Sequence, residues 1–212
     1  MELNQSIRNI KMPERIARLP VSDRGFPVPW FATWVNGEPD FIHITGEKIA
    51  RAHNRHLCWI CGEPLGRFLA FAIGPMCAVN RVSAEPPSHR ECAEYAAKAC
   101  PFLAKPRMRR NEKDGQGPTP GIAIPHNPGV TLVWITHGYK PISDGRGGTL
   151  FSIGHPIEVA FYAEGRTATH DEIMAAINKG LPILQDMAAS EGREAVAELE
   201  LAIRKAMELV PA

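Results

Sequence analysis

The chain has 212 residues, a formal net charge of +1 and 44% hydrophobic residues, enough to bury the core of one domain with additions or of two small domains. No run of 18 apolar residues occurs, and the polar first eleven residues lack the apolar segment of a secretory signal, so neither a membrane span nor secretion is expected. We therefore expect a cytoplasmic protein with reduced cysteines, in which a C-x2-C pair indicates metal or redox chemistry more often than a disulfide.

The charge is unevenly distributed along the chain. Residues 1–113 contain 17 Lys and Arg against 11 Asp and Glu, for a net +6, whereas residues 114–212 contain 7 against 12, for a net −5. A basic first half suggests a polyanionic partner. A solvated surface explains a bias of this size equally well.

Residues 1–57 are predicted to form an N-terminal arm and a β-hairpin. The first 29 residues are interrupted by Pro and Gly and indicate irregular chain. Asn36-Gly37 is the strongest short-range signal for a hairpin turn, and strand-like segments flank it at 30–35 and 40–44. A short helix is expected from residue 47 to residue 54, leading into the first cysteine.

The segment 58–103 carries the pattern with the clearest chemistry, a zinc-binding module. Cys58 and Cys61 form a C-x2-C pair from which two thiolates can bind one ion. His89 and Cys92 are three residues apart and should point to one side of a helix. Three Cys and one His are a closed ligand set, so these four residues are predicted to bind a structural Zn2+. The alternative is a group of core thiols beside a surface histidine.

The order of elements in this segment resembles that of a treble-clef zinc finger. Ser88 and Glu91 match a capping box, which predicts a helix that begins at His89. Residues 67–74 and 78–82 have strand character and would form a hairpin between the two ligand pairs. A knuckle, a hairpin and a helix with the second pair resemble a treble clef over residues 58–102, a layout that serves many unrelated functions.

Two further cysteines leave the ligand set open. Cys77 lies between the two predicted strands and is the main rival of His89 as the fourth ligand. Cys100 lies two helical turns after Cys92 and is followed by Pro101, which ends the helix, so we interpret it as a buried thiol.

A wider part of the chain is similar to uncharacterised zinc-binding-type proteins of bacterial and phage genomes. The similarity rests on the C-x-x-C-G motif, the stretches 73–81, 85–89 and 100–103, and a Gly-Leu-Pro motif at residues 180–182. It implies a phage or mobile-element setting. It implies no activity and no catalytic residue.

Residues 104–128 are predicted to be a basic, Gly/Pro-rich linker without apolar periodicity. Its cations are predicted to contact nucleic acid; they are Lys105, Arg107, Arg109, Arg110 and Lys113. A linker that only keeps the chain in solution is the alternative of equal weight.

Residues 129–212 are predicted to form a β-meander followed by helices. Strands are expected at 130–135, 150–153 and 157–162. The capping box of Thr169 and Glu172 begins a helix that is expected to end near residue 178, with a second helix starting at Pro182. After Gly192 a last helix has an apolar face that should meet the core; its members are Val196, Leu199, Ile203, Ala206 and Val210.

The sequence thus predicts an α+β fold and a non-enzymatic, zinc-stabilised binding protein. Nucleic acid is the first candidate partner. The alternative is an interaction or inhibitor protein acting on a host or phage factor through Trp30, Phe31 and Trp34 or through the last helix. A zinc-finger-type nuclease ranks lower, because His126 and His137 lie outside the finger. A zinc deaminase also ranks lower, because its C-x2-C pair follows the catalytic histidine, whereas here the pair precedes His89.

Overall fold

The computed structural model describes residues 2–41, 44–105 and 127–212, and these ranges form the predicted α+β fold. Its strands are β1 Thr33–Val35, β2 Glu38–Asp40, β3 Leu69–Ile73, β4 Val82–Ser83, β5 Thr131–Thr136, β6 Tyr139–Ser143, β7 Thr149–Ile153, β8 Glu158–Ala163 and β9 Arg166–Thr167. Its helices are α1 Glu14–Ala17, α2 Gly46–Asn54, α3 Pro75–Asn80, α4 Arg90–Ala99, α5 Pro101–Ala104, α6 His170–Glu191 and α7 Arg193–Met207. In the described ranges, no helix is long and apolar enough to cross a membrane.

The N-terminal hairpin forms at the predicted turn. Asn36 and Gly37 both have positive φ, 53° and 83°, as the two central residues of a type I′ turn require. The returning strand β2 begins at Glu38, because a two-residue turn pairs Val35 directly with Glu38, and residues 42–43 of the strand predicted at 40–44 lie outside the described residues. The stretch before the hairpin is not an irregular arm throughout. It contains α1 and buries Ile7 and Ile16 in the core that also contains Cys58, Cys61 and Cys92.

The larger sheet joins strands from distant parts of the chain. Its order is β3-β5-β8-β9 with antiparallel pairing, and all six residues of β5 are buried at its centre. The predicted hairpin partner of β3 at 78–82 is wrong. Pro75 occupies the first turn of α3, which covers residues 75–80, and β3 pairs with β5 instead.

The strands after residue 130 do not form one meander. Between β5 and β8 the chain leaves to form the β6–β7 hairpin, which joins β4 in a second antiparallel sheet of order β4-β7-β6. The two segments that connect the sheets, between β5 and β6 and between β7 and β8, contact each other. The Gly154 amide donates to the Gly138 carbonyl at 2.9 Å. A Cβ at Gly154 would lie 2.7 Å from that oxygen, so only glycine allows this approach.

The first C-terminal helix begins where predicted, but it does not stop at residue 178, and the separate helix predicted to start at Pro182 is part of it. The capping box is present: the Thr169 hydroxyl accepts from the Glu172 amide, and the Glu172 carboxylate accepts from the Thr169 amide. The helix then continues through Gly180 and Pro182 to residue 191. Gly180 serves close packing rather than termination, because a Cβ there would lie 2.6 Å from Met76 Cγ on α3.

Helix α7 follows Gly192 and packs its apolar face on the main core, as predicted; the packed residues include Leu199, Ile203, Ala206 and Val210.

Two cores matter for the site. The main core lies between the larger sheet, α3, α6 and α7, around the buried rings of Phe71, Trp134 and Phe151. A second core surrounds the cysteines at 58, 61 and 92. The second core also contains Ile7 and Ile16 from the N-terminal segment, so the first residues of the chain cover the cysteines rather than extending into solvent.

Candidate metal centre

The first two cysteines lie on a tight knuckle between α2 and β3. The Cys58 amide donates to the Glu63 carbonyl at 2.8 Å, and the Gly62 amide donates to the Cys58 carbonyl at 2.8 Å, which folds the chain back on itself. Gly62 has a φ of +77°, and a Cβ there would collide with the Trp30 ring. Glycine is therefore required both by the backbone conformation and by the neighbouring ring.

The second ligand pair lies at the start of α4, and this helix begins one residue later than predicted. His89, not Ser88, is the N-cap, and the helix starts at Arg90 without a side-chain cap. Ser88 is held in extended conformation because it exchanges backbone hydrogen bonds with Ala70 of β3, at 2.9 and 2.7 Å. The predicted capping-box partner, Glu91, pairs with Arg15 instead, Nε to Oε1 at 3.1 Å.

The fold brings all four predicted ligands together. The three Sγ atoms and one ring nitrogen lie within 4.8 Å of one another, and all four residues are buried; they are Cys58, Cys61, His89 and Cys92. His89 Nδ1 lies 3.3 Å from Cys61 Sγ and 3.9 Å from Cys92 Sγ. A tetrahedral ion with bonds of about 2.1–2.3 Å sets its ligand atoms about 3.5–3.8 Å apart, so the distances in the cluster are compatible with a metal site.

Surrounding hydrogen bonds orient the ligand atoms. His89 Nε2 lies 3.0 Å from the Pro64 carbonyl, so the neutral ring that donates there leaves its Nδ1 lone pair facing the sulfurs. The backbone amides of Cys61 and His89 each lie 3.4 Å from Cys58 Sγ and donate to it. Such amide donors favour the thiolate, the form of cysteine that binds metal.

The electrostatics of the cluster show four groups competing for protons. Burial opposes ionisation of Cys58, but hydrogen bonds from Cys61, Cys92 and His89 outweigh it and hold its pKa well below the usual range. The hydrogen bond with Cys58 raises the pKa of Cys61 to about 11, and the hydrogen bonds with Cys58 and Cys61 raise that of Cys92. The hydrogen bond with Cys58 also raises the pKa of His89. Cys61 and Cys92 therefore keep their protons beside the Cys58 thiolate, and all three sulfurs would be thiolates together only with a cation bound among them.

The N-terminal segment closes the cluster from outside. Arg15 on α1 pairs with Glu63 of the knuckle and with Glu91 of α4, and Arg18 pairs with Glu63 at 3.1 Å. Below these ion pairs the Ile16 side chain is 1% exposed. Sequence reasoning missed this cover, although Ile7, Ile10, Ile16 and Leu19 recur at spacings that include three, a weak sign of a packed face.

The remaining cysteines lie apart from the cluster. Cys77 is half-buried on α3, and it does not belong to the cluster of four residues whose ligand atoms lie within 4.8 Å of one another. Cys100 is half-buried at the junction of α4 and α5. Burial raises the pKa of both thiols. The rival of His89 is therefore not positioned to share an ion with the other three ligands.

The predicted interaction residues are only partly described. Lys105 follows α5 and is exposed, whereas Arg107, Arg109, Arg110 and Lys113 lie outside the described residues. The hairpin aromatics differ among themselves. Phe31 stacks on the buried Trp59 with centroids 4.9 Å apart, Trp30 meets the same ring edge-on, and Trp34 is 51% exposed.

Comparison with known proteins identifies no relative of this chain. No protein-family model matches the chain, and no curated protein or solved structure is significantly similar to it. The similarity to proteins of bacterial and phage genomes therefore stays a prediction. Function is inferred from the chain's own residues.

Proposed function

We propose that Cys58, Cys61, His89 and Cys92 bind one structural Zn2+ and that the chain is a non-enzymatic, zinc-stabilised binding protein. The observation that carries this proposal is the buried cluster of three sulfurs and one imidazole nitrogen. Thiolate and imidazole ligands in tetrahedral arrangement favour Zn2+ over the hard cations Mg2+ and Ca2+, which take oxygen ligands.

Burial makes a structural role the better account of the site. Cys58 and Cys92 are fully buried, and Cys61 and His89 are 9% and 8% exposed. A catalytic zinc keeps one position open for water or substrate, whereas four protein ligands under the α1 cover leave none. The proposed module is treble-clef-like in that a knuckle precedes a helix with the second ligand pair, although its strand β3 pairs outside the segment.

For the partner we propose nucleic acid, in a phage or mobile-element setting. The support is the net +6 of residues 1–113 and the basic run that starts at Lys105. Phosphate contacts make binding strongly dependent on salt, because each contact releases counterions. Replacing Arg107, Arg109 and Arg110 by Ala together should reduce the slope of log K against log salt by up to about three units.

A protein partner is the second candidate, and one observation favours it. The hairpin and the residues after it expose large apolar side chains, with Trp34 at 51%, Val35 at 52% and Phe41 at 44%. Aromatic side chains on a protruding hairpin are typical anchors of protein interfaces, and such interfaces weaken little with salt.

Salt-dependent binding separates the two candidates. The wild type and the triple Ala variant would be titrated against a duplex DNA and a structured RNA at several salt concentrations. Steep salt dependence that falls in the variant supports nucleic acid. No binding by the wild type at low salt would refute it and leave the protein partner as the better candidate. A Trp34→Ala variant that keeps nucleic-acid binding but loses a captured partner would support the second candidate.

A further inference from the structure

Three cations form a row along α2, next to the metal centre. Lys48 and Arg51 lie on α2 and Arg55 is its C-cap; separations of three and four residues place them along one side of the helix, while Ile49 and Ala52 face inward. Arg51 and Arg55 are exposed. The seven-residue separation from first to last corresponds to about 10 Å along the helix axis.

The cations of this row lack carboxylate partners. Among the described residues none of the three forms an ion pair. Several other arginines do form ion pairs; these include Arg8–Glu2, Arg15–Glu63, Arg18–Glu63, Arg90–Glu94 and Arg166–Glu172. Burial and the neighbouring charge of Arg51 lower the pKa of Lys48, and the charge of Glu47 offsets part of this shift. Within the described ranges the row is therefore a local excess of positive charge that no ion pair neutralises.

The metal centre holds this row in place through Trp30. Lys48 Nζ donates to the Trp30 carbonyl at 2.7 Å and lies 4.2 Å from the centre of its ring, and Arg51 Cζ lies 5.8 Å from the same centre. The same ring also occupies the space that a Cβ of Gly62 would need, since that atom would lie 2.4 Å from Trp30 Cδ1. The Trp30 amide also donates to the Ile60 carbonyl of the knuckle at 2.7 Å. The row is thus anchored to the knuckle.

We infer that the row of Lys48, Arg51 and Arg55 contacts the phosphates of a nucleic-acid strand, an inference that rests on the proposed nucleic-acid partner. A B-DNA strand carries one charge per about 3.4 Å of helix axis, so a row of about 10 Å faces about three phosphates. Arg51 and Arg55 are exposed and form no ion pair within the described ranges, so their guanidinium N–H groups are available for phosphate oxygens. An acidic peptide has no such fixed charge spacing, which is why the strand is the better match.

A charge-removing pair of substitutions tests this inference. The variant Arg51→Gln/Arg55→Gln would be titrated with a duplex DNA and with single-stranded DNA and RNA over a salt series. Its slope of log K against log salt should be about two units shallower than that of the wild type. Arg51→Lys/Arg55→Lys should recover most of the slope. The control Arg204→Gln/Lys205→Gln removes the same charge from α7 and should leave the slope unchanged, and all variants should keep the melting temperature and zinc content of the wild type.

The outcomes separate this inference from the proposed function. If the wild type binds and the α2 variant keeps the wild-type slope, the inference is wrong but nucleic-acid binding stands, with its contacts elsewhere. If the α7 control loses as much slope as the α2 variant, net charge rather than the row explains the effect and the inference is also wrong. If the wild type binds no nucleic acid at low salt, both the inference and the proposed partner are wrong.

Discussion

Replacing Cys92 by Ala should destabilise the protein far more than replacing Cys100 by Ala. Structural zinc binding contributes about 10–16 kcal/mol in small zinc modules, or about 2.5–4 kcal/mol for each of four ligands if they share it equally. Loss of the Cys92 sulfur, which is fully buried, adds about 1 kcal/mol. Cys100 loses only this packing contribution of about 1 kcal/mol.

Thermal unfolding measures the difference. In a chain of 212 residues each kcal/mol corresponds to a shift of about 2–4 °C. Cys92→Ala should therefore lower the melting temperature by about 7–20 °C, and Cys100→Ala by about 2–4 °C. Treatment with excess chelator should reduce the gap, because both proteins then lack the metal. Equal shifts in untreated protein would remove Cys92 from the ligand set. A large shift for Cys77→Ala combined with a small one for His89→Ala would make Cys77 the fourth ligand.

Three further substitutions test the surroundings of the site and the C-terminal helices. Gly62→Ala should cost about 2–5 kcal/mol in the free energy of unfolding, because φ is +77° and the new Cβ collides with Trp30. Ile16→Ala, at a side chain that is 1% exposed, should cost about 2–5 kcal/mol and speed zinc release to a chelator. Hydrogen bonds from Arg166 hold the pKa of Glu172 at about 2, below its usual 4.5, so its stabilising effect is complete above pH 4.5 and is lost as the pH falls towards 2. Glu172→Gln should flatten that part of the stability profile.

Each of these three substitutions has a control variant or an outcome that would contradict the prediction. Gly66→Ala, where a Cβ would meet nothing within 4 Å, should leave the melting temperature nearly unchanged. Similar losses for both glycine variants would contradict the role assigned to the Trp30 ring. Unaltered zinc release in Ile16→Ala would mean that the N-terminal segment does not protect the metal. An acid-unfolding profile of Glu172→Gln that matches the wild type would show that this carboxylate does not couple stability to pH.

Local patterns were sufficient to predict several parts of this molecule. The spacings of Cys58 with Cys61 and of His89 with Cys92 place each pair on one short element, so each half of the cluster is encoded within four residues. The turn at Asn36-Gly37 was predicted correctly because its backbone angles are a property of those two residues. The two ligand pairs are brought together by tertiary structure. Their proximity depends on the Ala70–Ser88 bridge that joins β3 to the start of α4.

Long-range packing overrode the local signals elsewhere. The pairing of β3 with β5 depends on a strand that follows a long intervening segment, and residues 75–80 form a helix because Pro75 begins it and Met76 reaches α6. Gly180 and Pro182 resemble a helix end and a helix start, but the contact of Gly180 with Met76 favours one continuous helix. The N-terminal cover was missed because its apolar residues are sparse.

The metal content of the purified protein tests the central claim most directly. Protein would be expressed without an affinity tag that binds metal, purified without added metal, and analysed for zinc, iron, copper and nickel together with protein concentration by amino-acid analysis. We expect one zinc per chain, and less than half of that in Cys58→Ala/Cys61→Ala purified in the same way, while Cys77→Ala/Cys100→Ala retains the full amount. Folded wild-type protein with zinc near zero, or with equal zinc in both double variants, would contradict the assignment of the buried cluster as a structural zinc site.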